Sequence, residues 1–278
     1  MKFECIAAFT SKSPSKTYNE DQAICTDYLA AVIDGASPLV NDLQAKLRTR
    51  WLVDEIVSEL ISLKGDLRSG LNDLIDSLRS KYELKFGFPS NVGKYELPSA
   101  AASITKLNAE GLEYAVFADS PLVITFKGGG EKVITDDSIK ELDQVVVNRI
   151  EELMAEGLSF NEALKEVRPI LRKNREMMCI GYSVIAPLGE CKRNFIYGKM
   201  NLESVEYLAL MSDGMARLVD TYGFFRSYRE MMLYGIENGF GDLLRILREI
   251  EREDEGVKVF KRVSVYDDAS LVVLRPSP

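Results

Sequence analysis

Six acidic residues stand where an apolar run starts or stops: Glu20, Asp21, Asp34, Asp119, Asp213 and Asp267. Three of them are followed at once by Gly or Ser, in Asp34-Gly35, Asp119-Ser120 and Asp213-Gly214. Each taken alone is accounted for by turn chemistry, because Asp and Gly are favoured in turns for backbone reasons. As a set they ask for more. If the strand ends converge, several carboxylates share one concavity, where like charges raise one another's pKa and oppose folding unless a cation neutralises them. A pair of hard divalent cations about 3.5–4 Å apart can share one carboxylate and one water. Asp34 is the candidate for the shared ligand, and Gly35 offers a carbonyl oxygen that no side chain obstructs.

The chain has no histidine, which removes Ser-His-Asp and Cys-His catalysis, imidazole-ligated zinc and histidine acid–base work. Any metal must then be held mainly by oxygen, which points to magnesium, manganese or calcium. With 35 Lys and Arg against 43 Asp and Glu, the net charge of −8 argues against nonspecific binding to nucleic acid or to an anionic membrane. No apolar run approaches the ~20 residues that span a bilayer, and Met1-Lys-Phe-Glu-Cys-Ile-Ala7 lacks the apolar core of a signal peptide. The expectation is a cytoplasmic protein. Cys5, Cys25, Cys179 and Cys191 are scattered without a Cys-x-x-Cys pair, and the expectation is reduced, mostly buried thiols.

The elements that must position the acids are legible as alternating patterns. Phe3 to Phe9 reads as a strand, followed by a polar loop through Pro14. Ala23 to Ile33 reads as a hairpin turning near Thr26-Asp27, which makes Glu20 and Asp21 neighbours of Asp34. Leu43, Leu47, Trp51, Ile56, Leu60 and Leu63 recur at helical spacing behind Asn41 or Asp42 as cap; Leu67, Leu71, Leu74, Leu78 and Tyr82 give a second helix. Ser99 to Leu107, Tyr114 to Ala118 and Leu122 to Phe126 read as strands. Gly128-Gly-Gly130 is a turn and not a phosphate cradle, because no lysine and Ser/Thr follow in register. A helical insert is expected from about 138 to 175, broken at Gly157, with stripes Leu142, Val146, Ile150, Leu153 and Leu164, Val167, Leu171. Strands are expected over Cys179 to Ala186, Asn194 to Lys199 and Tyr207 to Met211, then helices from Met215 and around Leu243, Leu247 and Ile250. A closing strand covers Leu271 to Leu274. With no repeat or linker, a single domain spanning residues 1–278, built on antiparallel sheet, is the simplest organisation.

Asn19-Glu20-Asp21, Ile33-Asp34-Gly35, Ala118-Asp119-Ser120, Ser212-Asp213-Gly214 and Asp267-Asp268-Ala-Ser270 together resemble the ordered signature of the metal-dependent serine/threonine protein phosphatases of type 2C, the bacterial branch in particular. The resemblance implies an α+β fold: a four-layer α-β-β-α sandwich of two stacked, mainly antiparallel sheets flanked by helices. It implies Mn²⁺ or Mg²⁺, two or three per chain. Asp34, Asp213 and Asp267 would bind the first metal; Asp34, the Gly35 carbonyl and Glu20 the second; Asp119 with Asp213 the third. Asp21 would orient a metal-bound water, and the insert would be the family's variable flap.

The sequence departs from that pattern in several places. Where the family places a phosphate-binding arginine three residues before Asn-Glu-Asp, this chain has Lys16, which supplies charge without a bidentate fork. Ser37-Pro38 replaces the usual glycines, Ala36 stands where animal members often carry histidine, and Ala118 replaces the glycine before Asp119. The implied activity is hydrolysis of phosphate monoesters, phosphoserine or phosphothreonine in a phosphoprotein substrate, by a water shared between the cations. Two alternatives stand beside it: a regulatory or binding module that keeps the fold without the activity, and a structural calcium-binding protein of another fold. The last would hold its ligands close together in sequence, whereas these acids are spread over the chain.

Overall fold

The computed structural model describes residues 1–40 and 42–277. Among these residues ten strands form two five-stranded antiparallel sheets. The first has the order β1 (Lys2–Ser11), β10 (Ala269–Ser277), β9 (Val205–Met211), β6 (Leu122–Phe126), β7 (Glu131–Ile134). The second runs β2 (Asp21–Cys25), β3 (Leu29–Ala36), β4 (Ser99–Asn108), β5 (Gly111–Phe117), β8 (Ile196–Met200).

Strand alternation builds the layers. In β3, Ala30 and Val32 face the other sheet and meet Leu208, Leu210, Val272 and Leu274 in the central core. The residues between them, Ala31 and Ile33, face outward onto α1 (Leu43–Ser62) and α2 (Leu67–Phe86), against Leu52, Ile56 and Leu71. On the far side, Ala209 and Met211 of β9 face α6 (Asp213–Asp220), α7 (Tyr228–Asn238) and α8 (Phe240–Glu253), against Met215, Leu243 and Leu247. The result is the α-β-β-α sandwich that the family resemblance implies. No helix among the described residues is long and apolar enough to cross a membrane.

The expected insert holds α3 (Ser138–Ala155), α4 (Phe160–Glu166) and α5 (Arg168–Arg175). Gly157 makes the first break at φ +104°. A second break at Val167 precedes Pro169, which favours the start of a new helix over continuation. Val146, Ile150, Leu153, Phe160 and Val167 close a small core of their own, together with Val257 from the connection between α8 and β10.

Several sequence expectations are corrected. The strand expected over Cys179 to Ala186 is instead a series of turns that packs on the second sheet and, among the described residues, pairs with it through the isolated Ala100–Ile185 bridge. Cys179 sits at φ +63°, and Gly181 donates its N–H back to Met177 at 2.8 Å, so the segment folds on itself. That folding joins Cys179 to Cys191 in a disulfide, against the expectation of reduced thiols. Cys5, one of the two free cysteines, is exposed rather than buried. Strand β7 was not expected; the Gly128–Gly130 turn leads into it, with Gly129 and Gly130 both at positive φ. Helix α7 was not expected either, although Ser227 caps it by accepting from the N–H of Glu230 at 3.1 Å. In α1 the buried stripe runs through Ala45, Leu52, Ile56 and Leu60, and Leu47 is exposed. Asp42 caps that helix by accepting from Gln44 N–H at 2.9 Å; Asn41, the other candidate, lies outside the described residues.

Candidate metal and phosphate site

The β2–β3 hairpin sets Asp21 directly opposite Asp34 in register. Gly35 donates its N–H to the Glu20 carbonyl at 3.1 Å, and a Cβ built on it would lie 2.5 Å from that same oxygen, so only glycine fits this crossing. Asp119 follows β5 at a sharp turn, where Ala118 adopts φ +50°. An alanine there costs on the order of 1 kcal/mol. The turn is held by Ser183 Oγ, which accepts from Ala118 N–H at 3.0 Å, and by Asp136 N–H on the Ala118 carbonyl at 3.0 Å. Asp213 opens α6 at the end of β9, and Asp267 precedes β10. Asp34, Asp119, Asp213, Asp267, Glu20, Gly35 and Lys16 all line one cleft of about 400 Å³ at the end of the sheets. Strand ends far apart in sequence are thus brought together.

Residues the sequence reading did not single out line the cleft or hold its lining residues in place. Asp143 of α3 and Arg175 of α5 line it from the insert. Buried Arg217 of α6 donates to Asp267 Oδ2 at 2.6 Å and to Ser264 Oγ at 2.8 Å. Asp268 accepts from the N–H groups of Ser13 at 2.7 Å and Glu20 at 2.9 Å, which pins the N-terminal loop to the start of β10. Signals for two of these were present. Arg217 lies one helical turn beyond Asp213, and Asp143 continues the Val146–Ile150 stripe backward, a charge on an apolar face.

The electrostatics are those of surplus negative charge. Burial, then the charge of Asp268, pushes Asp21 up to about 8, and a 2.8 Å bond from Ser270 Oγ only partly offsets it. Burial and the charges of Asp213 and Asp143 push Asp119 up to about 8. Asp34 is raised well above the carboxylate range by burial and by Asp21, Asp213 and Asp267; it keeps a solvent-accessible face on the cleft although protein surrounds it. Asp143 rises to about 6 through burial and Asp213. Asp267 is the exception. Burial would raise it, but Arg217 and Lys16 outweigh that and hold it low.

The donor set fits hard divalent cations in its chemistry: oxygen only, in excess of the local cations, with Asp21 Oδ1 buried and without a hydrogen-bond partner. Among the described residues Asp34, Asp119 and Asp213 form no ion pair except that of Asp213 with Arg217, at 3.8 Å. Asp267 and Glu20 differ. Asp267 Oδ1 accepts from Asp268 N–H at 3.0 Å and Lys16 Nζ at 3.4 Å, while its Oδ2 is taken by Arg217 and Ser264. Glu20 accepts from the Ser37 hydroxyl and faces Lys16 Nζ at 3.2 Å. Among the described residues no three acidic side chains already converge on one point.

A consequence for stability follows from the raised values. Between about 4 and about 8 the folded protein holds protons on Asp21 and Asp119 that the unfolded chain has released, so stability falls as pH rises through that window. The metal-free protein should melt at a higher temperature near pH 5 than near pH 8, and Mn²⁺ should narrow the difference by neutralising the carboxylates. A melting temperature indifferent to both pH and Mn²⁺ would remove these residues from any charged cluster.

Comparison with solved structures gives the fold its relatives. The chain superposes on the serine/threonine phosphatase PstP/Ppp of Mycobacterium tuberculosis with a TM-score of 0.58 at 14% identity, covering 100% of both chains. It superposes on the serine/threonine phosphatase Stp1 of Staphylococcus aureus with a TM-score of 0.58 at 15% identity, covering 100% of this chain and 96% of that one. The catalytic domain of PstP in complex with two manganese ions matches with a TM-score of 0.54 at 12% identity, covering 99% and 98%. Neither protein-family models nor curated proteins give a match to the sequence. The chain therefore has the fold of bacterial PPM-type serine/threonine phosphatases.

Proposed function

We propose that this protein is a metal-dependent phosphatase acting on phosphate monoesters, phosphoserine and phosphothreonine in proteins first among them. The observation that carries the reading is the gathering of Asp34, Asp119 and Asp213, from three separate strand ends, into one cleft of a phosphatase fold. Asp34, Asp213 and Asp119, with the Gly35 carbonyl, would hold Mn²⁺ or Mg²⁺, two or three per chain. Bound cations would supply a water of lowered pKa and neutralise charge on the phosphoryl oxygens. Asp21, opposite Asp34 in the hairpin, would hold or pass a proton beside them, as its value near 8 and its unpartnered oxygen allow. Lys16 and Arg217 would keep Asp267 in place as a brace, so that Asp267 and Glu20 join a cation only by exchanging their present partners.

The test is hydrolysis of p-nitrophenyl phosphate and of phosphoserine and phosphothreonine peptides. Mn²⁺- or Mg²⁺-dependent turnover, abolished by chelator, is the expected result. One observation favours a second reading, a regulatory module on the same fold: the oxygens of Asp267 and Glu20 are already satisfied by protein groups. Absence of turnover with either ion, together with no metal binding by calorimetry, would select that reading.

A further inference from the structure

The insert sends one cation into the cleft, and it is spent differently from the others. Lys16 Nζ faces Glu20 at 3.2 Å, Asp268 at 3.1 Å and Asp267 at 3.4 Å, so an acidic acceptor stands opposite each of its N–H donors. Arg217 is likewise bound to Asp267 and Ser264. Arg175, in the last turn of α5, makes no ion pair among the described residues. Its Nη1 donates to Ser99 Oγ at 2.5 Å and its Nη2 to the Ser37 carbonyl at 3.3 Å, both neutral acceptors. Most of its donor fork remains unspent. The guanidinium is half-buried and lines the same cleft as Asp34, Asp119 and Asp213.

Its mounting is rigid. Arg172, one turn earlier, donates from Nε to the Leu39 carbonyl at 3.1 Å, and Asn174 donates to the Leu142 carbonyl at 3.0 Å. These bonds fix α5 both to the stretch after Gly35 and to α3. A positive group at the C-terminal end of a helix is also favoured by the helix dipole. A guanidinium whose hydrogen-bond acceptors are neutral, with only the more distant charges of Glu20 and Asp143 acting on it, and which lines the same cleft as carboxylates suited to cations, is arranged for an anion that bridges the two. A phosphoryl group is such an anion, and a planar fork matches two of its oxygens.

We propose that Arg175, contributed by the helical insert, grips the phosphoryl oxygens of the substrate, a role Lys16 cannot fill while it is committed to Glu20, Asp267 and Asp268. The proposal rests on the phosphatase reading for the identity of the anion. It would make the insert part of the substrate site: a substrate would complete the charge of Arg175 as it binds, and the docking of α5 on the Ser37–Leu39 stretch would set how deeply it sits.

The test is binding of inorganic phosphate to the Mn²⁺-loaded protein by calorimetry, for the wild type, Arg175→Ala and Arg175→Lys, alongside turnover of p-nitrophenyl phosphate. Arg175→Ala should weaken phosphate binding by about 10- to 100-fold, with Arg175→Lys between it and the wild type because it keeps charge and loses the fork. In turnover the loss should appear as a raised KM with kcat changed less, a split that a merely loosened fold would not give. If Arg175→Ala fails to fold, Arg175→Lys decides alone. Unchanged phosphate affinity in the variants, or no phosphate binding by the wild type, overturns the proposal. Arg175-dependent phosphate binding without turnover would sustain it and sink the phosphatase reading; turnover indifferent to Arg175 would do the reverse.

Discussion

Asp34→Asn should abolish metal-dependent turnover, by about a thousandfold or more, and at the same time raise the melting temperature of the metal-free protein. The two effects have one cause. Asp34 lies opposite Asp21 in the β2–β3 register and shares the cleft with Asp213. Its own pKa is lifted by burial and by the charges of Asp21, Asp213, Asp267 and Asp119. A carboxylate with a raised folded-state pKa contributes unfavourably to stability above its unfolded value, because folding must either keep it charged among like charges or hold a proton the unfolded chain has released. The isosteric amide removes that repulsion and leaves the strand pairing intact. It also removes the anionic oxygen through which a cation would be shared, and losing a principal source of transition-state charge stabilisation costs several kcal/mol. Turnover assays and thermal melts on the same preparation check both halves. Full activity would take Asp34 out of the site, and lost activity with a lowered melting temperature would mark a folding defect instead.

The acids were legible because each stands at the end of a strand, and strand ends are readable from alternation. The antiparallel hairpin makes Asp21 and Asp34 neighbours from the sequence pattern alone, and the structure pairs them directly. The cations that shape the site were harder to see. Arg217 sits on α6 at the i+4 position from Asp213, and Arg175 continues the Leu164–Val167–Leu171 stripe by the same step. In both cases a charged residue extends a face that packs inward, a signal that reads as a solvated helix end unless the opposing wall is known. Tyr182 and Ser183 were obscured for another reason. A run of apolar residues between Cys179 and Ala186 has strand-like composition, but the disulfide and the positive φ at Cys179 turn it into a loop against the cleft. No local pattern identifies which cysteines meet.

The connection from α8 to β10 carries the insert's docking residue and Asp267 together, and Asp254 is what holds it. Asp254 Oδ1 accepts from the N–H groups of Lys258 at 2.8 Å and Val259 at 3.1 Å; Oδ2 accepts from Phe260 N–H at 3.0 Å and Arg262 Nη1 at 2.7 Å. Arg262 is 5% exposed and Asp254 6%. Between them Val257, buried in the insert's core, is held at φ +52°, a conformation that costs a β-branched residue on the order of 1–3 kcal/mol. Burial acts to raise the Asp254 carboxyl, but the Arg262 bond and the backbone donors outweigh it and lower it to about 2. Asp254→Ala leaves Arg262 buried without its partner and should cost about 3–5 kcal/mol, a fall in melting temperature on the order of 10 °C for a chain of this size. Asp254→Asn keeps the shape and loses the charge, and should cost about 2 kcal/mol, in line with the depressed pKa. The sign with pH follows: a lowered folded-state value gives stability that is complete above about 4 and is lost as pH falls toward about 2. Both variants should therefore show a weaker acid dependence than the wild type in that range. Because Ser264 and Asp267 lie on the same connection, Asp254→Ala should also loosen the Arg217–Asp267 brace, so that activity is lost well below the temperature at which the sheets melt. A variant whose melting temperature stays within a degree of the wild type would show that the connection is held by the Val257 contacts alone.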